Sequence, residues 1–186
     1  MPGRVLKPEF FDRPTLTVAR ELLGKFLSAE MPSGRQALMI TEVEAYDGFR
    51  DRASHAHKGE TPRNAPMFGP AGCFYVYLVY GMHWMLNVTT GPKGYPAAVL
   101  IRGLAGVSGP ARLTRKLGID RRFDGRPSAR STGLWIEDRG TEIGPRQVCR
   151  LPRIGVDYAG EEWAGKSYRF LVRDGATIRQ SGKKIN

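Results

Sequence analysis

The stretch that decides the fold runs from Cys73 to Asn87 and reads CFYVYLVYGMHWMLN. It contains three tyrosines, one phenylalanine and one tryptophan, and no Asp, Glu, Lys or Arg. Aromatic and β-branched residues are typical of strands, and the pair Tyr80-Gly81 at its centre is typical of a tight turn. The stretch therefore predicts two strands, residues 74–79 and 84–89, that meet in a β-hairpin with Tyr80 near its tip.

Side chains alternate between the two faces of a strand, which divides the first strand of this hairpin into two sets. The face predicted to be core consists of Phe74, Val76 and Leu78. Tyr75 and Tyr77 share the other face, where phenol rings would suit a flat partner such as a nucleic-acid base. Tyr80, at an exposed tip, is a candidate wedge between base pairs. The alternative is that all three tyrosines belong to the core.

Outside the hairpin, short strands outnumber helices and mostly follow one another directly. Periodicity predicts helices at 14–26, 109–117 and 161–164 and strands at 37–44, 97–102, 134–137, 147–154 and 168–173. Residues 46–72 form a loop rich in Gly, Pro and His, and a loop of that length within a domain is usually functional. We predict an α+β fold, a single domain over residues 1–186. It has a mixed, mostly antiparallel β-sheet, flanking helices, a protruding β-hairpin and a flexible tail at about 181–186.

The charge balance points to a polyanionic partner. The 186 residues include 29 Lys and Arg against 18 Asp and Glu, a formal net charge of +11. Such an excess favours nucleic acid first and an anionic membrane second, against the alternative of a generally basic soluble protein. No window is apolar enough to span a membrane and the N-terminus carries no apolar signal segment, so we expect an intracellular protein. Cys73 and Cys149 are expected to be small core residues.

Three cations lie on one face of the predicted helix at 109–117. Arg112, Arg115 and Lys116 are three and four positions apart, which places them together on a helix. One interpretation is contact with the phosphate groups of a nucleic acid, and the alternative is a solvated face. The net charge of the whole chain favours phosphate contact.

Two groups of titratable residues flank the long loop. Glu42 and Glu44 end a predicted strand two residues apart, close enough for each carboxylate to shift the other's pKa. One of them is a candidate general base, and the alternative is a pair of solvated acids. His55 and His57 form an H-x-H motif without an accompanying HExxH or CxxC spacing. We therefore expect no metal, and a histidine that forms hydrogen bonds near a carboxylate.

Several of these segments together resemble one enzyme family. They are ITEVEAYDG (40–48), ASH (53–55), TPRNAPMFGPAGCFYVYLVYGMHWMLNV (61–88), AVLIRGL (98–104) and RLPRIGVDYAGEEWAGKSYRFLVR (150–173). In this order they resemble the alkyladenine (3-methyladenine) DNA glycosylase family, from about Leu16 to Arg173. The resemblance implies a monofunctional hydrolase that flips a damaged purine out of duplex DNA and cleaves its N-glycosidic bond, initiating base excision repair. Alkylated purines are the expected substrates, and deaminated purines are left open.

The resemblance assigns roles in the chemistry and in DNA distortion. Glu44 is expected to be the general base that activates the attacking water, and Arg102 and the backbone around Val99 are expected to position that water. Tyr80 is expected to fill the gap left by the flipped nucleotide, entering from the minor groove. Met67 is expected to pack beside that wedge on the opposite DNA strand.

The resemblance also assigns the substrate pocket. Tyr46 and Tyr77 are expected to sandwich the flipped base, and His55 to contact it or the neighbouring sugar-phosphate. Asn87 is expected to exclude normal guanine by crowding its exocyclic amine. Alkylation at purine N3 or N7 makes the base cationic and a good leaving group, so one carboxylate is enough. No cofactor or metal is expected, and a monomer suffices.

Departures from the family pattern and two rival hypotheses remain. Relatives often carry Gly-Lys where this chain has Ala111-Arg112, and an aromatic residue where it has His83. The first rival is a non-catalytic nucleic-acid-binding module of the same fold, against which the intact E-A-Y at Glu44 speaks. The second is a metal-dependent nuclease that uses the H-x-H histidines and an acid, against which the lack of a carboxylate cluster speaks.

Overall fold

The computed structural model describes residues 3–173, 179–180 and 183–184. Its α-helices are α1 (Pro8–Phe11), α2 (Thr15–Leu22), α3 (Pro110–Lys116) and α4 (Glu161–Ala164). Its strands are β1 (Arg4–Val5), β2 (Phe26–Ala29), β3 (Gln36–Asp47), β4 (Phe74–Val79), β5 (His83–Thr89), β6 (Ala97–Leu104), β7 (Val107–Ser108), β8 (Leu134–Asp138), β9 (Thr141–Glu142), β10 (Val148–Leu151), β11 (Arg169–Val172), β12 (Arg179–Gln180) and β13 (Lys183–Lys184). No helix among these residues is long and apolar enough to cross a membrane.

The main sheet has the strand order β1-β8-β2-β3-β6-β5-β4. Its neighbours pair antiparallel, β7 pairs with β6, and the β10–β11 pair joins the edge of β3 through β11. A separate small sheet consists of β9, β12 and β13. The predicted α+β fold with a mostly antiparallel sheet is confirmed. Of the predicted tail, 183–184 form β13, and 181–182 and 185–186 lie outside the described residues.

The two faces of the central strands have different surroundings, because side chains alternate along each strand. One face packs against α2 and α3 and forms the main core, which includes Val43, Ala45, Phe74, Val88 and Ile101. The opposite face carries the neighbouring positions of the same strands and lines a cavity with Tyr46, Tyr75, Asn87, Leu100 and Arg102. The alternation of side chains along the adjacent strands β3, β6, β5 and β4 therefore places the core on one face of the sheet and the cavity on the other.

The first long helix is shorter than predicted. The periodicity predicts a helix over residues 14–26, whereas α2 ends at Leu22 and Phe26 already begins β2. Gly24 has φ of +85°, a left-handed conformation that glycine adopts without strain and that ends a helix. The apolar Phe26 therefore follows the α2 pattern by spacing but belongs to the sheet.

Strand β3 is longer than predicted and is not regular. Its pairing with β6 shifts register between Ile40 and Glu42 and again between Glu42 and Val43, which is a β-bulge. Ile40 and Val43 are consequently both in the main core, although strict alternation predicts opposite faces for them. The prediction of one alternating strand over 37–44 is wrong at this point, because the pairing passes over one residue of β3, Thr41, and then one residue of β6, Arg102.

The hairpin of β4 and β5 leaves the core before its tip. Phe74 and Val76 are buried as predicted, but Leu78 is 37% exposed, so its assignment to the core is wrong. The turn that follows has consecutive positive φ angles, +51° at Tyr80 and +70° at Gly81. Two positive φ angles are typical of the tightest hairpin turns. Tyr80 is 89% exposed at this turn.

Candidate active site

A cavity of about 510 Å³ lies on the face of the sheet opposite the main core. Its lining residues come from β3, β4, β5 and β6, from the loop at 53–67 and from residues 154–158. This volume is within the range of small-molecule pockets. The cavity therefore has a rigid floor of sheet and walls formed by two loop segments.

Glu44 is fully buried on β3, opposite Leu100 of β6, and its carboxylate lies directly behind the cavity lining, in contact with the lining residues Tyr46, Arg102 and Ile154. The backbone N–H of Ile154 donates to its Oε1 at 2.8 Å, and the Tyr46 hydroxyl donates to its Oε2 at 2.9 Å. Nη1 of Arg102 lies 3.4 Å from the same Oε2. Burial raises the pKa of Glu44, and the charge of Arg102 is the main opposing influence. The carboxylate is held in one orientation and has a raised affinity for a proton.

The two glutamates of β3 have different partners. Glu42 Oε1 lies 2.9 Å from Nη1 of Arg169 and 3.3 Å from Nε of Arg102. Two guanidinium groups therefore neutralise Glu42, whereas Glu44 has one guanidinium at a longer distance. The negative charge of Glu42 further raises the pKa of Glu44, as the smallest of the identified influences. Glu44 is therefore the less compensated carboxylate of the pair.

Two tyrosines near Glu44 form part of the cavity wall. Tyr46 and Tyr77 are both half-buried cavity-lining residues, the first from β3 and the second from β4. Burial, and then the nearby carboxylate of Glu44, raise the pKa of Tyr77 to about 12 and raise that of Tyr46 well above its ordinary value. Both phenols therefore stay neutral, and their rings offer apolar faces to a bound molecule.

His55 lies at the cavity mouth on the long loop. Its ring centroid is 4.6 Å from that of Tyr77, and its Nδ1 is 3.0 Å from the hydroxyl of Tyr75. Desolvation by the surrounding walls, and then the charge of Arg63, lower the pKa of His55. The buried Asn64 donates a hydrogen bond to the His55 backbone oxygen and fixes the loop there. His55 is thus a neutral imidazole at neutral pH.

Tyr75 is 1% exposed and belongs to a small apolar cluster with Ala56, Met67 and Ala98. The alternative that the hairpin tyrosines are core residues is therefore correct for Tyr75, although Tyr75 also lines the cavity. Met67 is 2% exposed in the same cluster and lines the cavity, as does Tyr80 of the hairpin turn. Contact of Met67 with the opposite DNA strand stays a prediction.

Asn87 is 3% exposed and lines the cavity from β5, with its Nδ2 donating to the Tyr75 backbone oxygen at 3.1 Å. Val99 is fully buried in the ladder between β3 and β5, and its side chain is in the main core. The backbone N–H that donates to Glu44 belongs to Ile154. Positioning of the attacking water by the backbone around Val99 stays a prediction.

The predicted DNA-contacting residues other than Met67 are exposed. Arg112, Arg115 and Lys116 are exposed on α3, whose first residue, Pro110, lines the cavity. Arg115 also lines a shallow groove with Met82 and other residues of the hairpin. The cations of α3 are therefore close to both the cavity and the hairpin.

Sequence reasoning missed the contribution of residues 153–158. Ile154 supplies a hydrogen bond to Glu44, and Tyr158 lines the cavity with its hydroxyl donating to the Ala53 backbone oxygen at 2.8 Å. The segment lies in the C-terminal block RLPRIGVDYAG, but no motif within it marks one residue as functional. The contact could be found only from the fold, since it joins positions 110 residues apart.

The two histidines of the H-x-H motif have separate partners. His57 Nδ1 is 2.9 Å from the Phe49 backbone oxygen, whereas His55 Nδ1 faces Tyr75. Within residues 3–173, 179–180 and 183–184, no group of three His, Cys, Asp or Glu side chains is arranged to hold a metal ion.

Comparison with known proteins agrees with this geometry. The family model described as methylpurine-DNA glycosylase matches residues 9–108 and 103–176. A protein of Methanocella arvoryzae is 45% identical over 94% of this chain and 95% of its own length, and one of Myxococcus xanthus is 46% identical over 91% and 90%. A Wolbachia pipientis wMel protein is 42% identical over 92% and 96%. Each is named, provisionally, as a 3-methyladenine DNA glycosylase. The chain belongs to the methylpurine-DNA glycosylase family.

Proposed function

We propose that the protein is a monofunctional DNA glycosylase that hydrolyses the N-glycosidic bond of alkylated purines in duplex DNA and so initiates base excision repair. The observation that carries this proposal is Glu44, a buried carboxylate with a raised pKa that contacts three residues lining a cavity with tyrosine walls, Tyr46, Arg102 and Ile154. The names of the relatives support the reaction class.

The chemistry needs one base and one leaving group. Glu44 removes a proton from a water molecule while the water oxygen bonds to C1′ of the nucleotide and the bond from C1′ to the purine breaks. The electron pair of that bond goes to the purine, which alkylation has made cationic and which therefore leaves as a neutral base. Arg102, 3.4 Å from Glu44 Oε2, positions the water and keeps Glu44 ionised. The carboxylate also stabilises the positive charge that develops on the sugar.

The cavity recognises the base by shape and stacking. The rings of Tyr46 and Tyr77 stack on the flipped base, and such stacking returns about 1–3 kcal/mol per base, against a flipping cost of a few kcal/mol. His55, at the cavity mouth, contacts the base or its sugar-phosphate. Asn87 is fixed by its bond to the backbone, so it cannot turn away from the exocyclic amine of guanine.

The hairpin tip supplies the wedge that replaces the flipped nucleotide. A tyrosine with φ of +51° is uncommon and costs about 1–3 kcal/mol, yet Tyr80 is 89% exposed and gains little packing in return. A strained, exposed aromatic ring at the tip is explained if it enters the DNA stack. Arg112, Arg115 and Lys116 on α3 contact phosphates, and binding weakens as salt rises.

The proposal is tested by base release from duplexes that carry 3-methyladenine, 7-methylguanine or hypoxanthine, with the wild type beside Glu44→Gln. We expect release of the alkylated bases, and a loss of about 100- to 10,000-fold in the single-turnover rate for Glu44→Gln with lesion binding retained. Base release at the wild-type rate in Glu44→Gln would exclude Glu44 as the base. Tight lesion binding without release by the wild type would favour the non-catalytic module. EDTA-sensitive strand cleavage would favour the nuclease.

The wedge has its own test. Tyr80→Ala should weaken binding to a lesion duplex about 10-fold, because an aromatic ring that stacks on bases is lost. Met82→Ala is the matched control, since Met82 is 68% exposed two residues further along the same turn. An equal, small effect of both substitutions on lesion binding, measured by fluorescence anisotropy, would show that Tyr80 does not enter the duplex.

A further inference from the structure

A buried ion pair lies directly behind the wall of the cavity. The side chains of Asp51 and Arg153 are both fully buried, and the two guanidinium Nη atoms each donate to one carboxylate oxygen, Nη2 at 2.9 Å. The two residues are 102 positions apart, one on the long loop and one on the C-terminal segment. Neither residue lines the cavity.

Arg153 joins this pair to the strand that carries Glu44. Its Nη1 also donates to the backbone oxygen of Ala45 at 2.9 Å, between Glu44 and Tyr46. Its guanidinium lies over the Tyr46 ring at 4.8 Å from the centroid. The next residue, Ile154, donates its N–H to Glu44 Oε1. The Arg153 side chain therefore contacts β3 and supports the Tyr46 ring. Arg153 also comes directly before the residue whose amide orients the Glu44 carboxylate.

Asp51 fixes the other end of the arrangement. Its Oδ2 accepts from the backbone N–H of Asp47 at the end of β3, and its Oδ1 accepts from that of Ala53. Ala53 in turn accepts the hydroxyl of Tyr158, which lines the cavity. The pair thereby connects the end of β3, the start of the long loop and the C-terminal segment.

We propose that Asp51 and Arg153 form a positioning pair that fixes the Ile154 amide on Glu44 and the ring of Tyr46 in the cavity wall. This inference rests on the proposed glycosylase function. A buried ion pair is often no more stabilising than apolar residues of the same volume, so stability alone does not account for it. The bidentate geometry of the pair fixes the orientation of the Arg153 side chain, and with it the positions of Ile154 and Tyr46. A general base such as Glu44 needs fixed neighbours, because small displacements reduce its efficiency.

The test compares three substitutions in the full-length protein. Asp51→Asn keeps the side-chain volume and removes the negative charge of the pair. Arg153→Lys keeps the positive charge and removes the bidentate hydrogen bonds of the guanidinium. Arg153→Met removes both the positive charge and these hydrogen bonds. We expect each to lower the single-turnover rate of 3-methyladenine release about 10- to 100-fold, the range for losing a hydrogen bond to a charged group. Lesion binding should change less than the rate, since the cavity residues themselves are kept.

The pH dependence of the rate distinguishes positioning from loss of stability. The Ile154 amide lowers the pKa of Glu44, so a displaced amide should move the acid limb of the rate profile to higher pH. The charge of Arg153 also interacts with Glu44, so the acid limb is read in Arg153→Lys, which keeps that charge. The remaining titratable groups around Glu44 are unchanged in these variants, and they are Glu42, Tyr46, Tyr77, Arg102 and Tyr158. A protein that is merely less stable keeps its acid limb while it remains folded.

Glu137→Gln serves as the matched control, because it also removes a buried carboxylate from arginine partners, but on β8, away from the cavity. It should lower the melting temperature and leave the rate and the acid limb unchanged. A wild-type rate and acid limb in folded Asp51→Asn and Arg153→Lys would overturn the inference, as would an equal loss of rate in Glu137→Gln. If the arginine variants do not fold, the milder Asp51→Asn decides alone. Failure of the wild type to release any base would instead contradict the proposed function.

Discussion

Glu44 and Glu137 are both fully buried glutamates on strands of the same sheet, and their surroundings differ in the number of donors. Glu137 on β8 accepts from Arg35 and Arg139 at 2.7 Å and from the indole N–H of Trp135 at 2.8 Å. Glu44 accepts from one amide and one hydroxyl, and its guanidinium partner is 3.4 Å away.

The pKa values of these two carboxyl groups move in opposite directions. Burial disfavours ionisation of both, but at Glu137 the bonds from Trp135 and Arg139 and the charges of Arg139 and Arg35 outweigh it and lower the pKa. At Glu44 burial outweighs Arg102, and the pKa is raised. Burial alone therefore does not make a carboxylate reactive. A base needs burial with incomplete compensation, and a structural carboxylate needs burial with full compensation.

The largest effect that we expect from this comparison is on stability. Glu137→Gln should lower the free energy of unfolding by about 3 kcal/mol at neutral pH, because it leaves several guanidinium groups without their anion. Glu44→Gln should leave stability unchanged or raise it, because it removes a charge that the fold does not fully compensate. Urea unfolding of both variants beside the wild type measures this difference. Equal destabilisation by the two substitutions would show that Glu44 is as well compensated as Glu137.

How much the sequence reveals differs between these two sites. The family resemblance singled out Glu44 through E-A-Y and assigned Asn87 to the pocket, and strand alternation put Tyr77 on the face opposite the core; both Tyr77 and Asn87 line the cavity. The sequence could not show that Ile154 reaches Glu44, because that contact depends on how a distant segment folds over the sheet.

Local patterns also failed where a single backbone feature overrode them. Gly24 stops a helix whose apolar spacing continues to Phe26, and the bulge at Glu42 puts two residues of opposite parity into one core. The contact of Glu137 with Arg35 was equally invisible, since the two residues are 102 positions apart. Long-range contacts and bulges are not encoded in periodicity.

The second expected effect is an opposite dependence of stability on pH. The pKa of Glu137 lies below its ordinary value of 4.5 in the folded protein, so its contribution is present above that value and is lost as the pH falls through the folded pKa. The pKa of Glu44 lies above 4.5, so its contribution is present at low pH and is lost as the pH rises through the folded pKa.

The measurement is the difference in unfolding free energy between the wild type and each glutamine variant, taken from acidic to neutral pH. For Glu137→Gln the destabilisation should grow as the pH rises, and for Glu44→Gln a relative stabilisation should grow over the same range. Two curves with the same sign of slope would contradict the assignment of opposite pKa shifts.

The smallest effect concerns one neutral donor at each carboxylate. Tyr46→Phe removes the hydroxyl that donates to Glu44 Oε2 but keeps the stacking ring. Since that hydrogen bond lowers the pKa of Glu44, its loss should move the acid limb of base release to higher pH and slow the reaction at neutral pH by up to about 10-fold. The pH profile of the single-turnover rate measures both changes.

Trp135→Phe is the counterpart, because it removes the indole donor of Glu137 Oε2 and keeps an aromatic ring in the core. It should lower the melting temperature while the rate profile stays in place. The guanidinium partners at 2.7 Å should keep Glu137 ionised without the indole, whereas Glu44, with Arg102 at 3.4 Å, depends more on each neutral donor. An acid limb that moves in Trp135→Phe and not in Tyr46→Phe would mean that the group titrating in catalysis is not Glu44.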